Sequence, residues 1–470
     1  MAIAAFVLLT SSGRLAAHAN DLGAGNVLGQ GAFISRATGV RIILRGNDFA
    51  TIVQDAHQTL QPGVFSLPAV ALAFTNMHNS GYNFVRITLD CTDLMTSKGV
   101  TGAGFSAGFL GNLVTLLATA RQHGLYVVLT MSDLPLNYRA LVVNDPRVGS
   151  GNADVMNPSS VSARASFWVN LLAAIKPHEA AYSAIIGLDI RNEATLSVSA
   201  AAAASAPFSA STGAYAFNGR SYSLAMSTTR QALADDETKG FLDVIARAIK
   251  IYDSQMLVGL SIYTPSASGR PAFNGLAKDN ANAGYPLAPL AILQSNADFL
   301  DLHTYPSGSS YSIDTDFASA QLSSAVAYAK PLYIGEYGAL KLLYPTTALA
   351  RSVLVAQIAG ACRYGFSGFA LYTWDGVATG VWNAVESNGS INAAVSPAGL
   401  PVPCADIPNS NFIATINGVG AIYASNGSHF CWYDTWALYL RFNHNNPNVS
   451  YMKTYNRIPL TMIYDGVCGG

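Results

Sequence analysis

The sequence predicts an α/β protein whose eight parallel strands close into a (β/α)8 TIM barrel, followed by a small β-rich C-terminal module. Eight short runs of aliphatic and β-branched residues occur between positions 40 and 375, and each is followed by a segment with helical periodicity. Most runs are apolar throughout, as expected of parallel strands buried on both faces. An open doubly wound sheet is the alternative, but it rarely has eight uniform repeats, and the interval fits the usual length of a barrel.

The eight predicted strands alternate with predicted helices along this interval. In chain order, the strands are VRIILRG (40–46), NFVRITLD (83–90), LYVVLTMSD (125–133), AIIGLDIRNE (184–193), MLVGLSIY (256–263), DFLDLHTY (298–305), PLYIGEYG (331–338) and GFALYTWD (368–375). The fourth interval is the longest because it contains an Ala/Ser-rich insertion at 194–235. We expect this insertion to overhang the C-terminal face of the barrel, as a lid or wall of a cleft or as a tolerated flexible loop.

Charge and composition limit the expected partners. The 470 residues include 26 Lys+Arg and 27 Asp+Glu, for a formal net charge of −1. Nucleic acids and anionic membranes favour a strong basic excess, so neither is an expected partner. No run after the N-terminus reaches the ~18 apolar residues that a membrane-spanning helix needs.

The N-terminus has two features of a signal peptide. Residues 2–10, AIAAFVLLT, are apolar, and Ala17-His18-Ala19 matches a small-residue cleavage site, although the usual positive charges at the start are missing. We therefore predict a signal peptide over 1–19 and a secreted protein, extracellular or periplasmic. A frayed or buried N-terminal segment is the alternative.

Polar, charged and aromatic residues gather at the predicted strand ends, where the βα loops of a barrel begin and its functional groups stand. They are Arg86 on strand 2, Asp133 at the end of strand 3, Asn192 and Glu193 on strand 4, His303 and Tyr305 on strand 6, Glu336 on strand 7 and Trp374 on strand 8. Glu193 and Glu336 are distant in sequence, yet both are expected to face the same barrel mouth.

Two facing carboxyl groups suit the cleavage of a glycosidic bond. One protonates the leaving oxygen, and the other attacks the sugar or activates water. The proton donor should have a raised pKa and the nucleophile a lowered one. Arg86 and Tyr305 are placed to keep Glu336 ionised, Asn192 can bond a sugar 2-hydroxyl, and Trp374 offers a flat apolar floor for a pyranose ring.

The motifs VRITLD, RNE, HTY, GEYG and YTW resemble those of the family 5 glycoside hydrolases, the cellulase and mannanase group of clan A. They occur in order from about 41 to 375, and their joint register is far more specific than any one of them. The resemblance implies a retaining double displacement on a β-glycan or β-glycoside, with Glu193 as acid/base and Glu336 as nucleophile. It also implies a supporting set around them, namely Arg86, Asn192, His303, Tyr305 and Trp374, and no cofactor or metal.

The sequence departs from the family pattern after strand 3. Family members usually carry a histidine there, and this chain reads TMSDLP. Either Asp133 takes over a substrate contact or that subsite differs, which leaves the identity of the sugar open.

Several alternatives remain beside this interpretation. The same glutamates could serve a transglycosylase, or the barrel could be a non-catalytic glycan-binding protein. Arg86 could be a structural salt-bridge partner, His303 a satisfied core histidine and Trp374 a packing residue. The GFSAG match to a serine nucleophile motif at 104–108 follows a loop and not a strand, so it is rejected.

The predicted domains are the signal peptide (1–19), a glycoside hydrolase domain (20–390) and a C-terminal module (404–470). Trp432 and Trp436 in the module are candidates for glycan contact, or they fill its small core. The module also contains Cys404, Cys431 and Cys468, and a Cys431–Cys468 disulfide is the first choice in an oxidising compartment. Outside the module, Cys91 and Cys362 are predicted to be buried small hydrophobic residues.

Overall fold

A computed structural model describes most of the barrel and parts of the flanking regions. The described residues are 22–27, 30–37, 41–49, 60–89, 104–198, 203–267, 285–306, 316, 330–364, 366–376, 380–400, 411–416, 422–426, 429–433, 435–436, 453–455 and 463–467. Within these ranges, no helix has the length and apolar character needed to cross a membrane. The predicted signal peptide lies outside the described residues.

Eight strands form a closed, all-parallel barrel, which confirms the predicted fold class. The barrel strands are β1 (Leu44–Asp48), β2 (Phe84–Leu89), β3 (Tyr126–Met131), β4 (Ile185–Asp189), β5 (Leu257–Tyr263), β6 (Phe299–Thr304), β7 (Leu332–Tyr337) and β8 (Gly368–Leu371). Each pairs with the next along the chain, and β8 pairs with β1 to close the barrel. Almost every residue of these strands is buried, as their apolar composition predicts.

Helices surround this barrel, as the periodicity of the intervening segments predicts. The longer ones are Leu67–Asn79, Ala107–Gln122, Pro158–Ile175, Ser227–Tyr252 and Thr347–Arg363, and the shorter ones are Leu136–Arg139, Ala153–Met156, Glu179–Tyr182, Pro289–Gln294 and Glu386–Val395. Side-chain caps fix some helix starts: Ser66 accepts the Ala69 amide, and Thr346 accepts the Leu349 amide.

The N-terminal end of the barrel is closed by an antiparallel sheet that sequence analysis missed. Its strands are Leu22–Val27, Gln30–Ser35 and Arg41–Ile42. Phe33 from this sheet packs against Phe299 and Tyr333 inside the barrel, with ring centroids 5.9 and 6.1 Å apart. The first predicted strand, 40–46, is therefore wrong in its bounds, because its first residues belong to the closing sheet.

The inserted segment after β4 forms regular secondary structure over much of its length. Ala214–Phe217 and Arg220–Ser223 form a hairpin, and the 26-residue helix Ser227–Tyr252 begins inside the stretch expected to be a loop. Thr195–Leu196 pairs with Tyr285–Pro286 after β5.

Asn152, in the loop after β3, forms hydrogen bonds with the same inserted segment. Its side chain donates to the Ser197 and Ala206 carbonyls at 3.0 Å and accepts the Ser197 amide at 2.7 Å. The described part of the insertion is thus joined to both neighbouring loops.

The C-terminal region is β-rich, as predicted. Five strands form one sheet: Asn411–Ile416, Ile422–Asn426, His429–Tyr433, Lys453–Tyr455 and Ile463–Val467. Trp432 is half-buried and Trp436 is 50% exposed, so their contact with a glycan remains a prediction.

Of the five cysteine side chains, the structure describes that of Cys362. Cys404, Cys468 and the Cys431 side chain lie outside the described residues, as does Cys91, so the predicted pairing remains a prediction. Cys362 is buried, as expected, but it is disulfide-bonded, and the interpretation of it as a small hydrophobic thiol is wrong.

Candidate active site

Most of the predicted site residues stand at or just after the C-terminal ends of β4, β6 and β7, and Arg86 lies within β2. Parallel pairing sets Tyr263 of β5 beside His303 of β6, and His303 beside Glu336 of β7. Because these strands end at the same mouth of the barrel, their terminal side chains converge there.

Arg86 is the centre of the cluster and is completely buried. Its Nη1 donates to Glu336 Oε1 at 2.8 Å and to Asp48 Oδ2 at 2.7 Å. Its Nη2 donates to Asp189 Oδ2 at 2.8 Å and to Asn192 Oδ1 at 2.6 Å. The guanidinium therefore links the strand that carries one glutamate to the loop that carries the other.

Three buried aspartates surround Arg86, and sequence analysis overlooked all of them. Beside Asp48 and Asp189, Asp301 lies 3.3 Å from Arg86 Nε. Gly335 donates its amide to Asp301 Oδ1 at 2.6 Å, and an added Cβ at Gly335 would lie 2.0 Å from Asp301 Oδ2. The glycine of the GEYG motif thus leaves room for a carboxylate. The sequence carries a signal for Asp189, which is the one charged residue of the apolar run AIIGLD.

Glu336 lies at the end of β7 and is 4% exposed. Besides the Arg86 bond, its Oε2 accepts a hydrogen bond from the Tyr305 hydroxyl at 2.5 Å. His303 Nδ1 lies 3.4 Å from the same oxygen. The predicted contacts of Arg86 and Tyr305 with Glu336 are therefore present.

Glu193 follows the end of β4 by four residues, in a turn. Its backbone φ is +50°, in the left-handed region that a non-glycine residue rarely adopts. Its Oε1 lies 2.9 Å from His303 Nδ1, and its carboxyl is the more exposed of the two, at 22% of the side chain. One oxygen of Glu193, one oxygen of Glu336 and a His303 nitrogen all lie within 4.8 Å of one another.

The cluster contains more carboxyl groups than cations, and the pKa values shift accordingly. Burial raises the pKa of Glu336 to about 8, with help from the Glu193 charge and against the attraction of His303. Burial also disfavours ionised Glu193, but hydrogen bonds from His303 and Tyr263 and the His303 charge leave its pKa below the usual value. Burial disfavours the His303 imidazolium too, yet the charges of Glu336 and Asp301 raise its pKa to about 10.

These directions are opposite to the expected pattern of a raised pKa at Glu193 and a lowered one at Glu336. The physical reason is burial: Glu336 is the more buried of the two carboxyl groups, and burial disfavours its ionised form. Two interacting carboxyl groups titrate as a pair, so the property that matters is the proton count of the pair. Between the two steps, up to about pH 8, the pair holds one proton.

Of the remaining predicted residues, Asn192 belongs to the buried cluster and Asp133 does not. Asn192 Oδ1 is engaged by Arg86, so its Nδ2 amide is the donor that the side chain can offer to a ligand. Asp133 is exposed beyond β3 and is not part of the buried cluster.

Trp374 is 4% exposed and packs edge-on against Tyr82, with centroids 6.5 Å apart. The expectation that its ring is a floor for a sugar is therefore wrong, because a ring this buried offers no face. Tyr372 is the half-buried aromatic residue of this segment and stacks edge-on against Tyr305 at 6.2 Å. The strand ends at Leu371, so both rings lie beyond the residues whose side chains alternate between the two faces of the strand.

Among the residues that the structure describes, two sets of side chains have donor atoms close enough to bind a metal ion: Glu193, His303 and Glu336, and Asp189, Asp301 and His303. In the second set, Arg86 contacts both aspartates and supplies the positive charge there. In the first, His303 Nδ1 is directed to Glu193. Both sets therefore have a cationic side chain as the partner of their carboxylates.

Comparison with solved structures gives the same fold. The endo-1,4-β-mannanase from Eisenia fetida aligns with a TM-score of 0.50 at 16% identity, over 79% of this chain and 94% of that chain. Endo-glycoceramidase II from Rhodococcus sp. aligns at 0.48 and 17% identity, over 75% and 79%. The β-mannanase from the blue mussel Mytilus edulis aligns at 0.47 and 16% identity, over 80% and 95%.

No protein-family model and no curated protein sequence matches the chain. At this identity, the Eisenia fetida structure shows a shared (β/α)8 fold. The (β/α)8 barrel that the sequence predicted is thus confirmed.

Proposed function

We propose that this chain is a retaining glycoside hydrolase that cleaves β-glycosidic bonds, with Glu193 as acid/base and Glu336 as nucleophile. The observation that supports it is the separation of the two glutamates, whose nearest ligand oxygens lie within 4.8 Å. Retaining enzymes hold their carboxyl groups about 5–5.5 Å apart, whereas inverting enzymes leave about 6.5–9.5 Å for a water molecule. The short separation favours direct attack by a carboxylate.

In the first step, Glu193 gives its proton to the glycosidic oxygen while Glu336 Oε2 or Oε1 attacks the anomeric carbon. The bond from the anomeric carbon to the leaving oxygen breaks, and an ester bond from that carbon to Glu336 forms. Glu193, now ionised, removes a proton from water in the second step, and the resulting hydroxide displaces Glu336. The sugar leaves with its original configuration.

The roles fit the positions of the two carboxyl groups. Glu193 is the more exposed and can meet a leaving group and then water. Glu336 receives hydrogen bonds from Arg86 and Tyr305, which orient it and favour its ionised form. The reactive form is the one in which the single proton of the pair is on Glu193.

The wider predictions belong to the same proposal. The catalytic domain would extend over 20–390, preceded by a signal peptide at 1–19 and followed by a separate module at 404–470. The enzyme would act outside the cell or in the periplasm, on a carbohydrate that Asn192 contacts through its Nδ2 amide.

The proposal is tested with purified full-length protein and a panel of aryl β-glycosides and β-glycans, including β-mannan, cellulose oligomers and xyloglucan. The product anomer formed first is read by NMR, for wild type and Glu336→Gln. We expect the β-anomer from wild type and a loss of several orders of magnitude in the variant. Glu179→Gln, a substitution of an exposed glutamate, is the matched control and should keep full activity.

Other outcomes separate the alternatives. Release of the α-anomer first would mean inversion and would overturn the role of Glu336 as nucleophile. Binding of glycans without turnover by wild type would mean a non-catalytic barrel. Transfer of the sugar to an added alcohol in preference to water would mean a transglycosylase that uses the same pair.

A further inference from the structure

The turn that carries Glu193 is held by β5. Ser261 Oγ accepts the Glu193 amide at 2.8 Å and donates to the Arg191 carbonyl at 3.3 Å. The Ser261 carbonyl accepts the Ala194 amide at 2.9 Å. One fully buried serine thus contacts the backbone on both sides of the residue proposed as acid/base.

The hydrogen bond between the Glu193 amide and Ser261 Oγ stabilises an unusual backbone conformation at Glu193. Glu193 has φ +50°, and a non-glycine residue in the left-handed region costs on the order of 1 kcal/mol or more unless its surroundings hold it. The hydrogen bond from its amide to Ser261 Oγ offsets that cost. Without it, the turn can relax and the Glu193 carboxyl moves away from His303.

A second β5 side chain reaches the carboxyl itself. Side chains alternate along a strand, so Tyr263 shares a face with Ser261. Tyr263 stacks edge-on against His303, at 6.1 Å and 86°, and its interaction with the Glu193 carboxyl is one of the causes that hold the pKa of that carboxyl below its usual value. Glu193 therefore has partners on two strands, His303 on β6 and Tyr263 on β5.

We propose that Ser261 and Tyr263 are positioning residues for Glu193, Ser261 through the backbone amide and Tyr263 through the carboxyl. This inference rests on the proposed role of Glu193 as acid/base. Ser261 sets where the proton donor stands relative to the leaving oxygen. Tyr263 orients the carboxylate that must act as base in the second step.

Leaving-group dependence tests the role of Ser261 and Tyr263 directly. A 2,4-dinitrophenyl glycoside departs without protonation, whereas a phenyl glycoside of the same sugar needs the acid. For Ser261→Ala and Tyr263→Phe, kcat/KM on the phenyl glycoside should fall about tenfold to a hundredfold, within the usual contribution of general acid catalysis. On the dinitrophenyl glycoside it should change by less than about threefold. Ser261→Thr keeps the hydroxyl and should restore most of the phenyl activity.

A purely structural role gives a different pattern. Equal losses on both glycosides, accompanied by a lowered melting temperature, would overturn the inference, as would no loss on either. Tyr252→Phe, at the far end of the helix Ser227–Tyr252, is the matched control for loss of a tyrosine hydroxyl and should change neither rate.

A measurement independent of turnover keeps the inference separate from the proposed function. Titration of 13C-labelled Glu193 by NMR should show a higher pKa in Tyr263→Phe than in wild type, since an interaction that favours the carboxylate is lost. An unchanged pKa would contradict the contact of Tyr263 with Glu193. Absence of turnover by wild type on every glycoside, with this shift present, would overturn the proposed function and leave the positioning contact established.

Discussion

Arg86 donates from Nη1 to Glu336 Oε1 over 2.8 Å, so the proposed nucleophile is hydrogen-bonded to a fully buried guanidinium. The same guanidinium donates hydrogen bonds to Asp48, Asp189 and Asn192 and forms an ion pair with Asp301 at 3.3 Å. Arg86 therefore both supports Glu336 and compensates the charge of buried aspartates in the barrel. Its effects on activity and on stability can be measured separately.

Removal of the Arg86 charge should destabilise the barrel. In Arg86→Met, the buried aspartates lose their common partner, and breaking a buried ion pair costs about 3–5 kcal/mol. We expect urea denaturation at pH 7 to show a loss of this size, and a smaller loss at pH 5, where the carboxyl groups protonate more readily. Arg220→Gln, whose side chain is 65% exposed in its ion pair with Asp236, should cost less than about 1 kcal/mol. Equal costs for the two variants would contradict the buried cluster.

We expect kcat/KM to fall at alkaline pH, because the glutamate pair then loses its single proton. Burial raises the pKa of Glu336 to about 8. A raised carboxyl pKa means that the proton is kept below this value and lost as the pH rises through it. We expect the rate to fall above about pH 8 and to decline at acid pH only below the usual glutamate range, where Glu193 protonates as well. An alkaline limb near pH 5 would contradict the coupling of the pair.

Glu237 predicts a pH-dependent stability away from the site. It is 3% exposed in the helix after the hairpin, and burial raises its pKa to about 8, opposed mainly by Arg147. A raised carboxyl pKa favours the folded state while the group is protonated, so this contribution is complete below the unfolded pKa of 4.5 and is lost as the pH rises through about 8.

Glu237→Gln should therefore stabilise the protein at pH 8.5, on the order of a few kcal/mol relative to wild type, and have little effect at pH 4. Denaturant titrations at the two pH values measure this difference. Glu179→Gln, at an exposed position, should show none. If the two glutamine variants respond alike, the burial of Glu237 has no energetic consequence.

The two aromatic residues after β8 should separate binding from stability. Tyr372 is half-buried beside Tyr305, so Tyr372→Ala should raise KM on the best glycoside about tenfold or more, with a small change in melting temperature. Trp374 is packed against Tyr82, so Trp374→Ala should cost about 3–5 kcal/mol of folding free energy. The reverse pattern would restore Trp374 as the sugar platform.

Most of the barrel could be predicted from the sequence because each strand is a dense apolar run next to a helical segment. The site residues were predictable for the same reason, since strand ends define the mouth. Asp189 and Asp301 were not, because an aspartate within a strand acquires its role only from the Arg86 side chain that reaches it across the barrel. Register between strands, which sets Tyr263 beside His303, has no signature along the chain either.

The misplaced residues share a physical cause, which is the loss of periodicity. Trp374 was assigned by assuming that the strand continued to it, but β8 ends at Leu371. The start of the helix Ser227–Tyr252 was assigned to a loop because its first turns are polar and the preceding stretch is rich in alanine and serine. Neither segment has the regular spacing of apolar and polar residues from which a strand or a helix is predicted.

The sheet that covers the N-terminal end of the barrel has a consequence for turnover. Phe33 and its neighbours pack against that end, so the proposed site is reached from the other end of the barrel. Substrate, departing alcohol and incoming water then share the mouth at the opposite end. The water of the second step has to arrive through the route that the departing alcohol has just vacated. The ratio of hydrolysis to sugar transfer would then depend on how quickly that route clears.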